Sequence, residues 1–242
     1  ILSMTAVFYA LGGFSCAYNW NIMWLDVLWL APLVILGLEL LVTQKKIATY
    51  YIALALSVLS NYYLSIMVCL FLVLYFVILL CELKKDERKG ACLRFFGVSL
   101  LAGATGAVLL LPEIKMLSYT VNDGAGFPQA MTWYFNLWDE LAHFCAGVEV
   151  VALKDHWPNI YCGAAIFLFV ALYAMNRKIP WKKKAARLAL AAFFLLSFAN
   201  NYLDFVWHGF HFPNGMPARQ SFLLIFLLLT MVYETLIHME GN

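Results

Sequence analysis

Polar residues interrupt this chain rarely and in clusters, so its apolar runs read directly as elements. The runs lie at roughly 1–18, 25–43, 47–60, 63–81, 95–112, 159–176, 187–205 and 219–238. A helix of ~20 mainly apolar residues crosses the ~30 Å hydrocarbon layer, so the pattern predicts about eight spans in an all-α polytopic transmembrane bundle. One stretch, 47–81, is ambiguous. As a single helix it would be ~52 Å long at ~1.5 Å per residue, too long for one crossing at ordinary tilt. The polar cluster SNYYLS (60–65) breaks it, which predicts a tight hairpin and a short third span.

Between the fifth and sixth runs lies a long loop, 113–158. It opens PEIKML, passes NDGAGFP (122–128) and reaches MTWYFNLWDELAHF (131–144). Trp133, Leu137, Leu141 and Phe144 stand there at helical spacing, which predicts a helix lying in the membrane interface. Asp139, Glu140 and His143 are then its solvated edge, with a lid beside an active cleft as the alternative for such a surface helix. Residues 1–242 read as one transmembrane helical domain with this loop as its main appendage.

Composition settles the solvent. The chain is 64% hydrophobic and 12% charged, far from a soluble globular composition. A net charge of +2 points to no nucleic-acid partner. The first residue is not Met and the first run is already apolar, so a piece of a longer membrane protein is expected. The six cysteines show no CxxC and no metal-ligand spacing, and unpaired thiols are expected.

Charge then sets an orientation. With 43–47, 82–94 and 177–187 on the inside, thirteen of the sixteen Lys and Arg residues face the cytoplasm, as short cytoplasmic loops require. Only Lys115, Lys154 and Arg219 fall elsewhere. The outer side receives Asn19–Asp26, Asn61–Tyr63, the loop 113–158 and the connection 206–218, with four of the five histidines. ATP and nucleotide sugars are unavailable there, so an enzyme would draw on lipid-linked substrates.

Three outer elements offer chemistry. In NWNIMWLD (19–26) the tryptophans suit a headgroup belt, and Asp26 suits a helix N-cap, with substrate contact as the alternative. In NYY (61–63), Asn61 and Tyr62 serve either turn chemistry or a cavity lining. The richest element is HGFHFPNGMPAR (208–219). Its Pro, Gly and Asn214 make a stiff turn, which does not explain Arg219 at the start of a span. An arginine beside His208, His211 and a helix N-terminus suits a phosphate. Asp204, His208 and His211 could instead hold a divalent cation; phosphate is favoured over metal, and both over a free-standing catalytic histidine.

MWLD (23–26) followed by APLVILGLELL, SNYYLSIMVCLFLVLYF (60–76), LLLPEI (109–114), PNIYCG (158–163) and HGFHFPNGMP.R (208–219) together resemble the YfhO family of bacterial polytopic membrane proteins. The resemblance covers essentially the whole chain. It implies a GT-C-like core and a membrane glycosyltransferase of the bacterial cytoplasmic membrane, active on its extracytoplasmic side. The implied donor is a sugar on a polyprenyl-phosphate carrier, and the implied acceptor an envelope polymer such as lipoteichoic acid. The catalytic carboxylate of such enzymes stands in a first outer loop, which would precede Ile1. Arg219 and His211 are then expected at the carrier phosphate, with Asp26, Asn61, Tyr62, His208 and Asn214 lining the sugar or acceptor cleft. The family's Tyr before the last Arg is Ala218 here. A transporter or flippase of a lipid-linked sugar is the alternative, and a non-catalytic assembly subunit a third reading.

Overall fold

The computed structural model describes residues 1–117, 119, 126–150, 156–213 and 215–240. It is all-α, and the only strand-like pairing among these residues is one isolated bridge between Trp133 and Asn200. The described residues fall into two compact units, Asn21–Gly126 and the combination of Ile1–Trp20 with Phe127–Asn242. Among them, Ile22–Thr43, Tyr62–Glu82, Lys85–Met116 and Ser221–Met239 are long and apolar enough to cross a membrane. Leu2–Tyr18, Ala48–Ser60 and Ile166–Met175 are shorter apolar helices. The chain is a multi-pass membrane protein.

The Asn21–Gly126 unit holds α3 (Ile22–Thr43), α4 (Ala48–Ser60), α5 (Tyr62–Glu82) and α6 (Lys85–Leu117). The break expected at 60–65 is a single residue, Asn61, whose extended backbone ends α4 and whose side chain accepts a hydrogen bond from the Leu64 amide at 3.0 Å. Helix α5 therefore begins with its own cap. Across the break the hydroxyls of Ser57 and Ser65 bond at 2.8 Å. Asp26, expected as an N-cap, is not one: α3 starts earlier, with Asn21 at its N-cap position, and Asp26 is an exposed residue inside the helix. The basic stretch 82–94, expected as a loop, is helical from Lys85 onward, with Asp86 and Glu87 in the first turn where the helix dipole favours them. Helix α6 is thus ~50 Å long at ~1.5 Å per residue, and it carries its charges on turns in excess of what ~30 Å of hydrocarbon needs.

Close approach of α3 and α4 organises this unit. A Cβ on Gly37 would stand 2.6 Å from both the backbone N and Cα of Tyr50. Tyr50 in turn is fully buried and its hydroxyl meets Ser99 of α6 at 2.8 Å. Glu39 of α3, costly inside a membrane, accepts a hydrogen bond from Tyr75 of α5.

The other unit holds α1 (Leu2–Ala10), α2 (Gly13–Tyr18), α7 (Leu137–Glu140), α8 (Ile166–Met175), α9 (Trp181–Ala199), α10 (Asn201–Trp207) and α11 (Ser221–Glu240). Here the expected spans are more broken than their hydropathy suggests. The first is cut at Leu11–Gly12, and Gly13 follows with its amide bonded to the Tyr161 carbonyl at 2.7 Å. A Cβ on Gly13 would lie 2.8 Å from the Tyr161 nitrogen, so only glycine permits this approach. Of the expected span 159–176 only Ile166–Met175 is helical, too short to cross the hydrocarbon alone. The run 187–205 is split at Asn200, while α9 extends backward to Trp181 through what was expected as a basic loop.

Those basic residues have definite work. Lys183 and Arg187 both pair with Glu234 of α11, and Lys184 donates to the carbonyls of Ala174 and Asn176, closing the C-terminal end of α8. Arg187 is 6% exposed, so its charge is answered by a partner more than by water.

Replacing Gly37 by Ala should destabilise the protein. The clash is with helix backbone, which cannot rotate away, and overpacking of this kind typically costs about 1–3 kcal/mol. A lowered melting temperature of Gly37→Ala in detergent, with Gly97→Ala as a control in open space, is the expected result; equal melting of both variants would overturn it.

Candidate functional site

The polar residues of the larger unit gather around α10 and the connection that follows it. Asn200 makes α10 possible. Its extended backbone ends α9, and its side chain accepts from the amides of Tyr202 (3.0 Å) and Leu203 (3.3 Å). Asn201, next along, behaves as a piece of sheet edge: its side chain accepts from the Thr132 amide at 2.9 Å and donates to the Ala130 carbonyl at 2.9 Å. Together with the Trp133–Asn200 bridge and a 2.8 Å bond from the Tyr134 amide to the Ala199 carbonyl, this lays the segment from Ala130 to Tyr134 against the start of α10.

That segment delivers a side chain to Asp204. The Tyr134 hydroxyl donates to Asp204 Oδ2 at 3.1 Å, and His208 Nδ1 lies 3.0 Å from Oδ1 and 2.8 Å from the Asp204 carbonyl. Asp204 and His208 are both buried, so the carboxylate is answered by a phenol and an imidazole. Burial first, then the Asp204 charge and its hydrogen bond, push the Tyr134 phenol above its ordinary value. An imidazole whose Nδ1 proton is held by a carboxylate has Nε2 as its basic nitrogen. The ring of Tyr134 stacks on His156 with centroids 3.6 Å apart. Beside it, Phe135 and His143 both stack on Trp157, and burial holds the His143 imidazole below its ordinary range.

The connection from α10 to α11 is held against strain. Phe210, Met216 and Ala218 have φ of 65°, 53° and 51°, and Gly209 and Gly215 also lie in the left-handed region. Non-glycine residues adopt it only when their surroundings enforce it. Here Arg219 does part of the enforcing: its Nε donates to the Met216 carbonyl at 2.9 Å and one terminal nitrogen to the Gly215 carbonyl at 3.1 Å. The Tyr18 hydroxyl, from the end of α2, donates to the Pro217 carbonyl at 2.7 Å. Tyr18 also meets the Asn159 side chain and feels the Arg219 charge. At the start of α11, Gln220 and Ser221 are fully buried with no hydrogen-bond partner for their side chains among the described residues.

The seven expected site residues divide between the units. His208, His211 and Arg219 share the connection after α10, where His211 is half-buried. Its imidazole is held below its ordinary range by burial, then by His208, and the Arg219 charge adds to this. Asp26, Asn61 and Tyr62 belong to the Asn21–Gly126 unit, in which the Glu113 charge reaches Tyr62 while Asp26 is an exposed residue of α3. Asn214 lies outside the described residues. Among the described residues no three His, Cys, Asp or Glu side chains form a metal-holding set, Asp204, His208 and His211 included. All six cysteines are free.

Three participants carry no sequence signal of their own. Tyr18 reads as the last aromatic of an apolar run, Tyr134 as one aromatic among several, and Asn159 as part of PNIYCG. Chemically, the arrangement offers a fixed guanidinium and a helix N-terminus to an anion, and a buried Tyr–Asp–His chain to a proton. No curated protein and no solved structure matches the chain. The family described as "Bacterial membrane protein YfhO" matches residues 1–241, and the chain belongs to that family.

Proposed function

We propose that this protein is the core of a membrane glycosyltransferase of the bacterial cytoplasmic membrane, working on its extracytoplasmic side. It moves a sugar from a polyprenyl-phosphate carrier to an envelope polymer such as lipoteichoic acid. The observation that carries the reading is the pole at the start of α11. Arg219 is fixed there by two carbonyls, and the buried side chains of Gln220 and Ser221 beside it have no hydrogen-bond partner among the described residues. A helix N-terminus with an oriented guanidinium is suited to a phosphate monoester or diester.

In the reaction an acceptor oxygen attacks the anomeric carbon, the bond from that carbon to the carrier phosphate oxygen breaks, and a base takes the acceptor proton. Arg219 and His211 stabilise the charge that develops on the leaving phosphate. His208, oriented by Asp204, and Asn214 are proposed to line the sugar or acceptor cleft. A flippase of a lipid-linked sugar is the second reading. It is favoured by the discontinuous pairs α1/α2 and α9/α10, since broken helices whose ends face a ligand are common in transporters.

In the full-length protein, Arg219→Lys should lower sugar transfer about 10–100-fold, the loss of roughly 1.5–3 kcal/mol expected when a charge-assisted fork becomes a point charge. Transfer from a radiolabelled polyprenyl-phosphate sugar in membranes measures it. Arg219→Ala should abolish transfer at unchanged protein level; retained transfer makes Arg219 a turn clamp only, and loss of carrier movement without any transfer in the parent favours the flippase.

The orientation has its own test. In a cysteine-less background on intact cells, an impermeant maleimide should label a cysteine at position 61 and not one at position 85. The opposite pattern would invert the orientation of the Asn21–Gly126 unit and overturn the expected topology.

A further inference from the structure

Glu140 contradicts the sequence-based expectation for it. Spacing places it with Asp139 and His143 on a solvated edge, yet it is 1% exposed and neither carboxylate oxygen has a hydrogen-bond partner among the described residues. The expected helix over 131–144 is helical only at Leu137–Glu140, followed by a 3-10 turn at Leu141–Phe144. The residues before it are extended because they pair with the start of α10. The short helix α7 that carries Glu140 packs on α9, and Glu140 itself is buried.

A carboxylate cannot stay charged there without donors. Helix α9 supplies none: its ionisable residues Lys182, Lys183, Lys184 and Arg187 all lie in its first turns, and 188–199 contain no titratable side chain. On its own segment the neighbours are Asp139 and His143. On the elements that hold the segment down they are Asp204 from α10, with Tyr134 bonded to it, and His156 beneath the Tyr134 ring. Burial raises the Glu140 carboxyl to about 8.

We propose that Glu140 is the proton-operated latch of a lid formed by residues 131–144. The lid docks on α9 and α10 with Glu140 as a neutral acid, and ionisation of Glu140 releases it. Release withdraws Tyr134 from Asp204 and uncovers the Asp204–His208 pair. The latch stands without the glycosyltransferase reading; only its consequence for substrate access rests on that reading.

The sign follows from the two states. Undocked, Glu140 titrates in the ordinary carboxylate range; docked, at about 8. Its contribution to docking is therefore complete below the ordinary range and is lost as pH rises through about 8. His143 acts oppositely, since burial lowers it: it favours docking above the ordinary histidine range and opposes it below. Between about pH 7 and 9 His143 is mostly neutral in both states and an undocked Tyr134 phenol mostly protonated, so Glu140 dominates the slope.

The test is hydrogen exchange of the full-length protein in nanodiscs, corrected for intrinsic rates, at pH 7 and pH 9. Protection of the amides of 131–144 should fall about tenfold across that range while α9 and α11 keep theirs. Glu140→Gln, neutral at every pH, should hold the lid's protection constant, and Glu140→Leu should do the same if the amide variant misfolds. His143→Gln should leave the fall between pH 7 and 9 unchanged. A wild-type lid with constant protection, or a fall that persists in both Glu140 variants, overturns the latch. Neither readout involves sugar transfer, so a failure here is distinct from a failure of the proposed activity.

Discussion

A carboxylate taken out of water must be met by donors or give up its charge, and the larger unit resolves this constraint twice in opposite ways. Asp204 is met: Tyr134 and His208 converge on its two oxygens. Glu140 is not met, and burial drives it towards the neutral acid. The first solution ties two separate pieces of chain together, because Tyr134 can reach Asp204 only if 130–134 lies along α10, and α10 exists only if α9 stops at Asn200. The site's architecture follows from making one buried acid tolerable.

Asparagine supplies the stops. Asn61, Asn136 and Asn200 each end one segment in an extended conformation and then cap the helix that follows, by accepting backbone amide protons through the side-chain oxygen. In hydrocarbon a broken helix leaves amides that water cannot satisfy, so a break needs a side chain that imitates a carbonyl. Asparagine does this without carrying a charge into the membrane. Asn201 extends the device sideways, bonding a loop as a strand would.

This explains which parts of the structure were legible from the sequence. The all-α fold and the positions of the apolar helices follow from hydropathy, since burial in lipid is what the composition encodes most directly. The break at Asn61 was visible because Ser60, Tyr62 and Tyr63 thicken the polar interruption. The break at Asn200 was not, because Phe198, Ala199, Tyr202 and Leu203 keep the local average apolar, and capping depends on one oxygen. Glu140 was misplaced because its charge was taken to mark a solvated edge, although it stands three residues after Leu137 and four before Phe144, on the apolar stripe itself. Arg219, His208 and His211 were picked out by their oddity in a greasy neighbourhood, but Tyr18 and Asn159 join Arg219 through tertiary packing alone. That packing depends on Gly13, whose missing side chain left no mark in a hydropathy reading.

The strained connection gives Arg219 a meaning that its charge alone does not. Left-handed backbone at three non-glycine residues costs of order 1–3 kcal/mol each, and Ala218 bears part of it. Such a turn would relax unless held. The guanidinium bonds to Gly215 and Met216 and the Tyr18 bond to Pro217 hold it from both sides. The same bonds that stabilise the turn fix the plane of the guanidinium, so strain and charge placement are one arrangement. An anion arriving at the start of α11 would meet a cation whose orientation is already set, and the ordering cost that a flexible arginine brings to binding has been met in folding.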